Sequence, residues 1–201
     1  MGDLMEDYEE LKYDVLVIGA GAAGMRAAIA ASDEGASVCL VSKSLLGKAH
    51  TVMAEGGAAA ALGNADERDN WKVHFRDTVK GGKHLNNWKM AKIHAEQAPE
   101  RILELEKWGA VFDRTKNGKI NQRNFGGHRF PRLAHVGDRT GLEIIRTVQD
   151  KVIHQNNIDI LMECTVVKII TEEYQAVGAL AYYRNNGNLV AIIAKAIVVA
   201  T

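Results

Sequence analysis

The chain has 201 residues, 47% of them hydrophobic, with 25 Lys+Arg set against 25 Asp+Glu. Zero formal net charge excludes the electrostatic footprint of a nucleic-acid binder and gives no pull toward an anionic membrane surface. The two cysteines form no Cys-x-x-Cys pair and the seven histidines no His-Glu-x-x-His pair, so neither a structural metal nor an iron–sulfur cluster is expected in this chain.

Met1 to Leu11 is acidic, the reverse of a targeting segment, and residues 1–12 are expected to form an extension ahead of a domain over residues 13–201. Tyr13 to Ile18 is a short apolar run rich in β-branched residues and predicts a strand. The loop Gly19-Ala20-Gly21-Ala22-Ala23-Gly24 follows at once, and the alanine-rich Met25 to Ser32 predicts a helix that Gly35 ends. Strand, glycine turn and helix together are the context that a dinucleotide site requires. Gly19 permits the tight turn, Gly21 lets backbone approach a pyrophosphate, and Gly24 lets helix and strand pack closely, with the helix N-terminus offering N–H groups to the anion. Ala36 to Val41 predicts a second strand. About 20 residues beyond such glycines an acidic residue ordinarily holds an adenosine ribose; here Ser42-Lys43-Ser44 stand instead, which weakens an NAD reading and tilts the site toward FAD.

Next comes Ala49-His50-Thr51-Val52-Met53-Ala54-Glu55-Gly56-Gly57. A neutral imidazole nitrogen is a nucleophile, so a histidine placed along a bound nucleotide can react with it. The two adjacent glycines have no side chains to keep backbone away from that nucleotide. From Asp69 to Asn157 the pattern is mostly helical. Trp71, Phe75 and Val79 form one stripe and Trp88, Ala91, Ala95, Ala98, Ile102 and Leu105 a second, with two helices expected to meet near Pro99 and the aromatics expected in the core. A third helix is expected after Asp138 as N-cap, burying Leu142, Ile145, Val148 and Val152. The helix-poor stretch from Arg114 to Gly137 carries Asn124-Phe125-Gly126-Gly127-His128, Arg132 and His135, which read as a polar surface loop rather than as substrate ligands. Ile158 to Glu163 predicts a strand. Thr165 to Thr171, Ala176 to Arg184 and Leu189 to Ala200 predict three more, the last two joined by the turn Asn185-Asn186-Gly187-Asn188.

The glycine loop, Ser42-Lys43, the His50 segment, Phe125-Gly126-Gly127 and Asp138-Arg139-Thr140-Gly141 resemble the flavoprotein subunit of succinate dehydrogenase and fumarate reductase, from about Tyr13 to Thr201. The resemblance implies an α/β, Rossmann-like FAD-binding domain with a parallel sheet, a helical insertion and an antiparallel β-meander, cut off before a capping domain. It implies FAD bonded through His50 to the 8α-methyl of the flavin. FAD contacts would come from Gly19, Ala20, Gly21, Ala22, Ala23 and Gly24, from Ser42, Lys43 and Ser44, from Ala49, His50, Thr51, Glu55, Gly56 and Gly57, and from the backbone of Cys164, Thr165 and Val166 at the adenine. No catalytic residue is expected here, because the family's dicarboxylate site follows the point where this sequence stops. The implied substrate is succinate or fumarate. The implied partners are the membrane-anchor subunits and the iron–sulfur subunit of a respiratory complex, placing the chain in the cytoplasm at the inner face of the cell membrane. The rival readings are an L-aspartate oxidase-like enzyme with non-covalent FAD, against which His50 speaks, and a non-catalytic nucleotide-binding fragment. Glu55 leans faintly toward fumarate reductases.

Overall fold

In the computed structural model, which describes residues 8–201, the elements in chain order are β1 (Tyr8–Ile18), α1 (Ala22–Asp33), β2 (Val38–Val41), β3 (Ala58–Ala59), α2 (Trp71–Gly81), α3 (Trp88–Lys107), β4 (Gln122–Arg123), β5 (Leu133–Ala134), α4 (Thr140–Ile153), β6 (Ile158–Leu161), β7 (Cys164–Glu172), β8 (Gln175–Tyr183) and β9 (Leu189–Val199). The described residues fall into two units, one of residues 8–50 with 148–201 and one of residues 51–147.

The first unit is a six-stranded sheet in the order β6-β2-β1-β9-β8-β7. β6, β2, β1 and β9 run parallel, while β8 and β7 return as the antiparallel meander. β2 is buried along its whole length, which explains why Val38-Cys39-Leu40-Val41 is apolar without alternation. Leu16, Ile18, Cys39, Val41, Ala181 and Ile192 belong to one apolar cluster. α1 ends where expected: Gly35 takes φ +85°, its N–H donates to Ser32 O, and the Ala36 N–H reaches Ala31 O.

β1 begins earlier than its apolar run suggests. Residues 8–12 are strand, paired with β9 from Tyr8 opposite Leu189 to Lys12 opposite Ile193, so the expected extension over residues 1–12 does not stand apart from Tyr8 onward. Cross-strand pairing holds these residues extended although their outward positions are charged. The rest of that extension lies outside the described residues.

The second unit combines α2, α3 and the three-stranded antiparallel sheet β3-β5-β4 around Ala60, Ile102, Ala110, Phe112, Ile120 and Ala134. Asn70 and Asn87 cap α2 and α3, each side-chain oxygen accepting from the second and third N–H beyond it. α3 is one continuous helix with Pro99 inside it, not two helices meeting there. Proline forfeits one helical hydrogen bond and costs about 3 kcal/mol, yet Ala91, Ala95, Ala98, Ile102 and Leu105 keep their spacing across it, and Ala98, Ile102 and Leu105 bury against one core. Trp88, expected in the core, is 58% exposed, and on α4 Leu142 is 48% exposed while Ile145, Val148 and Val152 are buried. Asp138 does not cap α4: the Arg139 carbonyl accepts the first helical bond, from the Glu143 N–H, and the Asp138 carboxylate is taken up by Arg123 Nη1 at 3.0 Å.

Candidate functional site: a glycine cradle and the His50 segment

The parallel strands of the first unit end level. Ile18 lies opposite both Val41 and Val199, and Val41 opposite Leu161, so the segments that follow them leave from one edge, the carboxyl edge at which open α/β sheets bind ligands. Gly19 turns there with φ +111°, its N–H on Val41 O at 2.9 Å; a Cβ on it would lie 2.3 Å from Ala200 O. A Cβ on Gly24 would lie 1.8 Å from Gly19 O, so the loop closes on itself only with glycine at both ends. Gly21 is the N-cap of α1, extended and without a capping side chain, and no acidic residue occupies the first turn. This cradle fits the pyrophosphate of a dinucleotide: its donors are backbone and the N-terminus carries no competing carboxylate.

Ser42, Ser44 and Cys164 are brought together. The Ser42 N–H donates to Leu161 O and its carbonyl accepts from the Cys164 N–H, both at 2.9 Å, while Ser44 O accepts from the Glu163 N–H at 3.2 Å. Lys43 is exposed, and Thr165 and Val166 continue along β7 opposite Tyr182 and Ala181. Burial pushes the Cys164 thiol up to about 11 and the Cys39 thiol to about 12, so both act as small apolar groups rather than nucleophiles.

His50 is exposed and opens a one-turn 3-10 helix over His50–Met53. In the second unit, the turn after it is closed by the Ala54 N–H on Thr51 O. α4 begins hard against that turn: a Cβ on Gly141 would lie 1.9 Å from Thr51 O, which accounts for the glycine of Asp138-Arg139-Thr140-Gly141. Gly57 has φ +116°, and the place of a side chain there is occupied by Ala134 O, 2.9 Å away, and by Leu133 and His135. The protein's own β5 therefore demands glycine at 57. At Gly56 a Cβ would meet the Phe125 ring at an ordinary 3.5 Å.

Residues 14–201 match the FAD binding domain family. The chain belongs to that family. The FAD-binding domain is 39% identical over 189 residues to a subunit of the fumarate reductase (CoM/CoB) of Methanothermobacter marburgensis, covering 94% of this chain and 34% of that protein. It is 36% identical over 198 residues to the succinate dehydrogenase flavoprotein subunit of Rickettsia bellii, covering 94% of this chain and 33% of the relative. Its fold matches a chain of the Mycobacterium smegmatis Sdh1 complex in the apo form at a TM-score of 0.91, with 54% identity over 96% of this chain and 34% of that one. The chain thus spans about a third of the length of the relatives it matches. The α/β architecture with parallel sheet, helical insertion and meander agrees with the sequence expectation, and the resemblance to succinate dehydrogenase and fumarate reductase flavoproteins holds.

The second unit of the FAD-binding domain contains a polar cluster that sequence patterning misses. Arg132 is fully buried, and its Nη2 donates to Asp69 Oδ1 and Asp77 Oδ2, both at 2.9 Å. Asp77 Oδ2 also accepts from the Arg129 N–H, which ties the loop holding Phe125 to α2. His74 is buried on α2, with its ring edge-on to His94 at 5.1 Å and to His128 at 5.9 Å. Burial, followed by the Arg132 charge, lowers His74 to about 4 and lowers His128 as well, so both imidazoles are neutral near pH 7. Burial raises the Asp69 carboxyl against the opposing pull of Arg132. The one signal in the sequence was His74, set amid Trp71, Phe75 and Val79, a helix face that would otherwise read as wholly apolar. Arg123 was likewise invisible: its Nε and Nη2 donate to Gly56 O and Glu55 O at 2.7 and 2.6 Å.

Proposed function

We propose that this chain is the cofactor-holding part of a flavoprotein that interconverts succinate and fumarate, with FAD bonded covalently through His50. The observation that carries the reading is an exposed histidine opening a tight turn ahead of Glu55-Gly56-Gly57, in a chain that also carries the glycine cradle and whose relatives include named succinate dehydrogenase and fumarate reductase subunits. Bound FAD supplies the hydride chemistry. Gly19 to Gly24 hold the pyrophosphate by backbone N–H groups, and Ser42, Lys43, Ser44 and the backbone of Cys164, Thr165 and Val166 hold the adenosine. The His50 imidazole would provide the nucleophilic nitrogen for the link to the flavin methyl, that methyl losing a proton and the flavin ring itself taking the electron pair. These residues bind and orient; the groups that hold the dicarboxylate and move its proton lie outside this sequence. An iron–sulfur subunit takes the electrons, and membrane-anchor subunits hold the assembly at the cytoplasmic face of the cell membrane. No helix among the described residues is long and apolar enough to cross a membrane.

The test is acid denaturation of the full-length flavoprotein. FAD is expected to stay with the polypeptide and fluoresce on a denaturing gel, and His50→Ala is expected to leave FAD bound but extractable. Yellow colour that washes out completely from the wild type would favour an L-aspartate oxidase-like enzyme. Residues 1–201 alone are expected to show neither succinate oxidation nor fumarate reduction with added FAD, because proximity and proton transfer vanish when their groups are missing. Turnover by that fragment would return His128, Arg129, Arg132 or His135 to consideration as substrate ligands.

A further inference from the structure

The Ala54–Gly57 segment is held from one side. Three consecutive carbonyls accept from donors of the second unit: Ala54 O from the Gly141 N–H at 2.7 Å, Glu55 O from Arg123 Nη2 at 2.6 Å, and Gly56 O from Arg123 Nε at 2.7 Å. In an extended strand successive carbonyls point to opposite sides; here two neighbours converge on one guanidinium edge. Across a planar trans peptide the N–H points away from the C=O. Fixing the Glu55 and Gly56 carbonyls on Arg123 therefore turns the N–H groups of Gly56 and Gly57 together to the other side. Neither enters a turn, loop or cap hydrogen bond among the described residues. Two adjacent N–H groups aimed one way form a nest for an electron-rich partner.

We propose that Arg123 is a positioning residue that orients the Glu55–Gly57 peptides so that the Gly56 and Gly57 N–H groups donate to an electron-rich edge of the flavin ring. The inference rests on the FAD reading above and names what sets the donors in place. Arg123 is itself fixed: it lies on β4 opposite Leu133, and its remaining Nη1 bonds Asp138. A planar fork bridges two carbonyls in one geometry, whereas a lysine ammonium is a point charge that supplies no such bridge. Because a reduced flavin is richer in electrons than an oxidised one, a preset donor pair stabilises the reduced form more.

The experiment compares wild type, Arg123→Lys and Arg123→Gln in the full-length flavoprotein, reading FAD content, the flavin midpoint potential, and hydrogen exchange of the Gly56 and Gly57 amides with and without FAD. Both variants are expected to keep FAD but to lose about tenfold in the ratio of reduced to oxidised flavin, about 30 mV for a two-electron couple, with lysine no better than glutamine. In the wild type the Gly56 and Gly57 amides are expected to slow their exchange when FAD binds. A lysine variant at the wild-type potential would reduce Arg123 to its charge and overturn the proposal, as would amides whose exchange FAD leaves unchanged. If the variants do not fold, exchange in the wild type alone decides. A wild-type protein that takes up no FAD would instead sink the FAD reading, and this proposal with it.

Discussion

The sheet unit is built around Leu16, Ile18, Val41, Ala181 and Ile192, side chains with nothing to titrate and no charge to satisfy. The helical unit has an apolar cluster of its own, but it also buries Arg132, Asp69 and His74, and it depends on each of those groups keeping its partner or staying neutral. The contrast teaches that two parts of one small chain can meet the same burial requirement with opposite sensitivities. The sheet unit is vulnerable to shape, and the helical unit to charge.

Gly24→Val is the severest way to press the first half of that contrast. Its Cβ would stand on the Gly19 carbonyl, a backbone atom that cannot move aside without opening the loop. Loss of FAD uptake and a lowered melting temperature are expected, read by flavin absorbance and circular dichroism. Gly21→Val should abolish FAD uptake while leaving the protein folded, since Gly21 has extended backbone that valine also adopts, and a side chain on the cradle would crowd a bound pyrophosphate. In the helical unit, Arg132→Met removes one charge and strands two buried or nearly buried carboxylates, with an expected loss of about 3–5 kcal/mol in urea unfolding. A loss below about 1 kcal/mol would mean that the cluster is not held by its charges.

The pH dependence sharpens the same point. An unfolded histidine titrates at about 6.5, whereas burial pushes folded His74 down to about 4. Between those values the unfolded chain binds the extra proton, so stability is intact above the upper value and falls as the pH drops toward the lower one. The expected slope is about 1.4 kcal/mol per pH unit over that window, and His74→Phe should flatten it. An equally steep slope in the variant would assign the effect elsewhere. Pro99→Ala restores a helical hydrogen bond and should stabilise by about 1–3 kcal/mol. At the small end, Lys92→Ala breaks an exposed i,i+4 pair with Glu96 and should change stability by less than about 0.5 kcal/mol.

Much of the fold was legible because its signals are local. The glycine loop, the capped helices, the buried strand at Val38–Val41 and the Asn-Gly turn announce themselves within a few residues of sequence. What escaped was set by distant partners. Residues 8–12 look like an acidic tail until β9 is present to pair with them. Pro99 looks like a break until one sees that a single core takes the stripe that crosses it. For the candidate site, Gly19 and Gly24 carry a clear signature, since steric demands leave glycine as the only fit. Arg123 and Arg132 carry none, because an arginine that clamps backbone or joins two aspartates is indistinguishable in sequence from one on the surface. Gly57 was readable as a position that needs glycine, but not that β5 of the same chain fills the place of its side chain.

The pairing of β1 with β9 also governs how the chain must be made. Among the described residues the first strand binds the last, and β2 waits for β6, so nearly all of this sequence must emerge before the sheet can close. At about 5–20 residues per second on a ribosome, the apolar Val15 to Ile18 spend roughly ten seconds or more without their β9 partners. A strand kept waiting that long is a template for wrong pairing, and contacts so far apart in sequence also slow refolding. The acidic residues Glu9 and Glu10, on the portion of β1 that waits with it, give the unpaired strand a charge that discourages it from pairing with a copy of itself.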